Sequence, residues 1–140
     1  MDIRFFFTDQ NITLAERTRL KTFIRSIFKR EQRAASSLTY VFCSDEYLLG
    51  INNLFLQHDY YTDIITFDLS SNKAIIEGEI YISIDRVRDN AKQLDISIKN
   101  ELHRVIFHGV LHLCGYKDKT PKDEKVMRSM EEKYLKLYFK

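Results

Sequence analysis

The chain has 140 residues, enough for one domain with a real core, and its 44% hydrophobic and 30% charged content is that of a globular protein. Four glycines and one proline leave little room for linkers, no apolar run approaches the roughly 18–20 residues that span a bilayer, and the N-terminal apolar run is too short and too acidic for a secretory signal. A net charge of +2 excludes nucleic-acid binding through bulk charge, so any such binding needs a local patch.

Residues 2–8 alternate, with Ile3, Phe5 and Phe7 on one face, and predict a half-buried strand. Thr13-Leu-Ala-Glu16 has the form of a capping box and predicts a helix start. The apolar stripe of that helix is Leu14, Leu20, Phe23, Ile24, Ile27 and Phe28. Arg17, Lys21, Arg25, Lys29 and Arg33 recur every four residues on another face, and residues 11–35 hold seven Lys or Arg against two Glu. Such a stripe suits a phosphate backbone, or a solvated helix face.

Residues 37–43 alternate through Leu38, Tyr40 and Phe42 as a second strand. Ser44 is placed to cap a helix whose stripe is Tyr47, Leu48, Ile51, Leu54 and Phe55. Residues 62–68, rich in β-branched side chains, predict a third strand, and residues 74–84 a fourth, with Ile76, Ile80, Ile82 and Ile84 on one face. The short Ser70–Lys73 connection makes these two an antiparallel hairpin. His58 falls in a polar loop and is expected to be exposed. The two cysteines, Cys43 and Cys114, form no CxxC pair and fit reduced thiols in a cytoplasmic protein.

A helix around Asp85–Leu94 precedes one capped by Ser97 that runs to about Cys114. With Ile98 at zero on its wheel, Leu102, Val105, Ile106, Gly109 and Leu113 lie within about 80° of it, and His108 and His112 at about 280° and 320°. The histidines thus stand at the border of core and cleft. Glu101 lies on their stripe, as an exposed helix residue or an imidazole partner, and His103 on another face with no metal role. Thr120 and Pro121 open a last helix with Met127, Met130, Tyr134, Leu137 and Tyr138 toward the core. The order predicts an α/β (α+β) fold: a single small mixed sheet of about four strands with helices packed on it.

The block His108-Gly-Val-Leu-His112-Leu-Cys-Gly115-Tyr-Lys-Asp118 carries the chemistry. Two imidazoles four apart share a helix face, glycine ends the helix, and the reversed chain brings a carboxylate back toward the pair. His108, His112 and Asp118 with a fourth position for water make a known form of catalytic zinc site, one ion per chain, although another divalent transition metal would also suit the donors. The offsets resemble the metzincin signature, except that the Glu serving there as general base is here Gly109.

The same block, His108-Gly-x-Leu-His112-Leu-x-Gly115-Tyr116, resembles the signature of the YbeY family of bacterial rRNA maturation factors. Thr62-Asp63-Ile64-Ile65-Thr66-Phe67 resembles its T-[DN]-V-L-S-F strand and Gly78-Glu79-Ile80-Tyr81-Ile82-Ser83 its G-D-I-x-I-S strand, with Ile51-Asn52 and Asp59 at matching spacing. The resemblance implies a zinc-dependent endoribonuclease of the cytoplasm. It would act on single-stranded or ribosomal RNA alongside the small ribosomal subunit and its assembly factors, with no membrane role. Two positions depart: Asp118 stands for the family's third histidine, and Leu56 for its arginine. His108, His112 and Asp118 would hold the metal. Asp63 and Glu101 are the candidate catalytic carboxylates. Arg17, Lys21, Arg25, Lys29 and Arg33 are the candidate RNA track. A zincin-like metallopeptidase and a non-catalytic ribosome-associated factor with a bound metal are the rival expectations.

Overall fold

The alternation of Ile3, Phe5 and Phe7 builds β1 (Asp2–Phe7) of a computed structural model that describes residues 1–58 and 60–140. Next come α1 (Arg17–Arg30), β2 (Ala34–Cys43) and α2 (Asp45–Leu56). The hairpin of β3 (Ile64–Asp68) and β4 (Ile75–Ser83) leads into α3 (Ile84–Leu94), α4 (Ile98–Leu113) and α5 (Pro121–Tyr138). The sheet order is β1-β2-β4-β3. β1 and β4 both run parallel to β2, and only β3 is antiparallel, through the expected hairpin. Asp59, matched by its spacing in the sequence, lies outside the described residues. No described helix is long and apolar enough to cross a membrane.

Three helices start where serine or threonine predicts. Ser44, Ser97 and Thr120 each accept from the backbone N–H three residues on, which removes one unpaired helix-end donor. The capping box at Thr13 does not form. Leu14 is buried and Ile12 partly so, and this keeps the segment out of the helix until Arg17. Glu16 precedes it with φ 53° and makes no side-chain cap. At the other end Gln32 has φ 58°. The chain turns there, so Arg33 leaves the helical stripe and donates to the Cys114 carbonyl at 2.8 Å.

One face of the sheet carries the main core, built with α1, α3, α4 and α5; α2 covers part of the other face through Leu48, Ile65 and Cys43. Leu54 and Phe55, expected on the packed stripe of α2, are 73% and 61% exposed, because that helix is buried only at Leu48 and Asn52. The structure also corrects the one-sided picture of α4. The sheet lies on one side, with α1, α3 and α5 against the others, so Glu101 and His103 are buried as well. His103 sits among Phe107, Tyr138 and Phe139, its Nδ1 2.7 Å from the Lys99 carbonyl. Burial lowers its pKa.

Two glycines let α4 come down on the sheet. A Cβ at Gly109 would stand 2.6 Å from Ile80 Cδ1 and 3.2 Å from Ile64 Cδ1; one at Gly78 would stand 2.6 Å from Leu113 Cδ1. Ile80 is fully buried and has nowhere to retreat. Overpacking costs about 1–3 kcal/mol, more than the roughly 1 kcal/mol a helix gains from Gly→Ala. Gly109→Ala is therefore expected to lower the urea midpoint. Gly50→Ala in α2, where nothing lies within 4 Å of the new Cβ, should raise it. A gain at both positions would refute the close-approach argument.

Candidate metal centre

α4 presents His108 and His112 one turn apart, ring centroids 4.6 Å from each other and planes at 80°. After Leu113 the chain reverses at Gly115, whose φ of 107° is open to glycine at little cost. That reversal returns Asp118 to the pair. Asp118 Oδ2 lies 3.3 Å from His108 Nε2 and 3.2 Å from His112 Nε2. One donor atom from each residue falls within 4.8 Å of the other two. Three convergent donors of the two-imidazole, one-carboxylate type fit a divalent transition metal. Cys114 is not part of the converging group, and burial pushes its thiol up to about 12.

The other nitrogen of His108 is also committed. Nδ1 lies 2.5 Å from Oε2 of Glu131, a residue of α5 only 1% exposed. A carboxylate accepts the Nδ1 proton and leaves Nε2 as the free lone pair, the tautomer a metal requires. Burial would raise the pKa of Glu131, but the His108 hydrogen bond and the Arg104 charge outweigh it and hold the carboxyl below its ordinary value.

Arg104, one turn before His108, joins these groups. Its Nη1 donates to Glu131 Oε1 at 3.1 Å, while Nε and Nη2 grip Glu101 at 2.8 and 2.7 Å. Nη2 also faces Asp63 Oδ2 at 3.5 Å. Burial disfavours the cation, yet Glu101 and Glu131 more than compensate and raise its pKa. Sequence reasoning overlooked both Glu131 and Arg104. The signal for Glu131 was present: it shares the core stripe of α5 with Met127, Tyr134 and Tyr138, where a lone carboxylate needs a partner.

A cleft of about 1020 Å³ opens over the three donors, walled by β3 on one side and the first half of α5 on the other. Asp63 lines it. Glu101 does not: it is 0% exposed, both oxygens are taken by Arg104, and it has no route to a reacting atom. The expectation of an exposed or imidazole-bound Glu101 is thus corrected. Residue 109 points into the sheet against Ile80, so a base placed there, as in metzincins, would be aimed away from the three donors. Leu56 is half-exposed at the end of α2 and is absent from the residues lining the cleft.

The predicted RNA track lies elsewhere. Arg17 stands over the Phe7 ring, Lys21 over Phe5, and Arg25 donates to the Met1 carbonyl. All three line β1, the opposite edge of the sheet from β3, about 14 Å away at three strand spacings. Lys29 is exposed near the end of α1, and Arg33 is tied to the end of α4 through the Cys114 carbonyl.

Comparison with known proteins agrees with the sequence blocks. The family model described as endoribonuclease YbeY matches residues 5–138. An endoribonuclease YbeY of Cytophaga hutchinsonii is 53% identical over 135 residues, 96% of this chain and 94% of its own. One from Porphyromonas gingivalis is 47% identical over 133 residues, 95% of this chain and 87% of its own. A solution structure from Thermotoga maritima superposes with a TM-score of 0.64, covering 98% of this chain and 89% of that one at 24% identity, and shows the fold. Its donor set, its cleft and these likenesses agree: the chain belongs to the endoribonuclease YbeY family.

Proposed function

We propose that this endoribonuclease cuts single-stranded RNA with one zinc ion, or another divalent transition metal, held by His108, His112 and Asp118. The observation that carries this reading is the convergence of three donor atoms at the floor of an open cleft, with His108 fixed from behind by Glu131. A structural zinc site has four protein ligands; among the described residues three come together here, which favours a catalytic site with an open position over a purely structural one. Bound there, the ion would supply Lewis acidity toward a phosphoryl oxygen and a lowered pKa for a coordinated water.

The chain's own residues do the rest. Glu131 holds the Nδ1 proton of His108 and keeps the ring in one orientation. Arg104 pairs with both carboxylates buried beside it, Glu101 and Glu131. Asp63, which lines the cleft, would accept a proton from the nucleophile, whether a water or an RNA 2′-hydroxyl. The His108 side chain is only 12% exposed, so a phosphodiester must enter the cleft, which a flexible single strand does more readily than a duplex. The family resemblance supports ribosomal RNA as the substrate and the small ribosomal subunit as a partner, and the unpaired thiols of Cys43 and Cys114 suit the reducing cytoplasm. Gly109, facing the sheet, argues against a peptidase.

Three measurements test this. Elemental analysis should find about one equivalent of transition metal, lost in His112→Ala. Glu131→Gln should keep the site but weaken zinc affinity by roughly 10–100-fold; unchanged affinity would remove Glu131 from the metal centre. Asp63→Asn should lower kcat by about 100-fold or more at unchanged metal content. A full rate in that variant would assign the proton to another group.

A further inference from the structure

A strand of RNA in this cleft needs cations for its phosphates, and the described lining residues include three: Arg104, Lys125 and Arg128. A guanidinium has five N–H donors. Arg104 directs one at each oxygen of Glu101, one at Glu131 and one toward Asp63. It is spent on carboxylates and has almost nothing left for a phosphate. Arg128 is the opposite case. Its side chain is 58% exposed, and its one ion pair among the described residues is a 3.4 Å approach of Nη1 to Glu131. Lys125 is exposed and makes no ion pair among the described residues. The two are three residues apart, on one face of α5, on the wall opposite β3.

We propose that Lys125 and Arg128 form the phosphate-binding rail of the cleft, so that an RNA backbone runs along α5 past the metal donors. The inference rests on the reading under Proposed function. It moves the nucleic-acid contact from the basic stripe of α1 to α5. Charge supports this placement. Five carboxylates line the cleft, Asp63, Asp68, Asp118, Glu124 and Glu131, against three cations. Without its ion the cleft therefore repels a polyanion, and a divalent ion restores balance. The free positive charge then sits at Lys125 and Arg128, beside the place where a phosphodiester meets the metal donors. Arg17, Lys21 and Arg25 are at the far edge of the sheet, spent in part on the Phe7 and Phe5 rings and the Met1 carbonyl.

The test measures binding of a labelled single-stranded RNA to the zinc-loaded full chain across a salt series, before appreciable cleavage. It compares wild type, Lys125→Gln/Arg128→Gln and Arg17→Gln/Lys21→Gln/Arg25→Gln. The α5 variant should bind roughly tenfold more weakly, and the slope of log K against log salt should fall by about 0.7 for each phosphate that is no longer neutralised. Its zinc content and thermal midpoint should match wild type, because both side chains stand in solvent. The α1 variant should keep its slope. An α5 variant with unchanged affinity and slope overturns the rail, and so does one that loses zinc, since Arg128 would then act through Glu131. A wild-type protein that neither binds nor cuts RNA overturns the proposed function itself and is told apart at the first measurement.

Discussion

The seat of α4 on the sheet is the constraint from which the site follows. Helices carry their histidines wherever the backbone puts them, and here Gly109 lets the backbone approach until Ile80 and Ile64 touch the helix itself. That contact fixes the rotation of α4. His108 and His112 stand about 260° and 300° round the wheel from Gly109, within one narrow sector, and must then face the gap between β3 and α5. A side chain at position 109 would lift the helix and turn both rings. The glycine that stands where metzincins have their base is the same one that aims the two candidate metal donors.

The polar layer beneath the site is held by one cation. Glu101 and Glu131 are both buried carboxylates, and such groups are costly unless paired and hydrogen-bonded. Arg104 serves both, in a bidentate grip on one and a single bond to the other, and His108 completes Glu131. Its reach toward Asp63 links the β3 side of the cleft to α4, while Glu131 links α5 to α4. Both walls of the cleft are therefore tied to the helix that carries the ligands. This network explains why Arg104, although it lines the cleft, has little left for a further anion.

Asp118 in place of a third imidazole fits the same electrostatics. An aspartate ligand adds a negative charge to a cleft already rich in carboxylates. That would lower the electrophilicity of an ion held there and favour slightly harder metals. On the proposed reading, the attraction of a phosphate would then depend on the cations of α5 and on the ion itself, with little help from the cleft as a whole.

Much was determined by the sequence alone, because the information was local. Strand periodicity, the caps at Ser44, Ser97 and Thr120, the i, i+4 histidines and the glycine that returns Asp118 all act within a few residues; all formed, although the fourth strand ends at Ser83 and Ile84, read as its last inward residue, opens α3, because Ser83 caps that helix. The helix start failed at Thr13, where burial of Leu14 outweighed a local capping pattern. Only the tertiary structure decided that α4 is enclosed on nearly all sides, which turned Glu101 from a surface residue into a buried one. Only it brought Glu131 from 23 residues away onto the back of His108, committed most of the Arg104 donors to carboxylates, and set Arg17, Lys21 and Arg25 along β1, at the opposite edge of the sheet from β3. Those outcomes depend on which helix lies against which, and a single helix wheel shows one face while saying nothing of what covers the others.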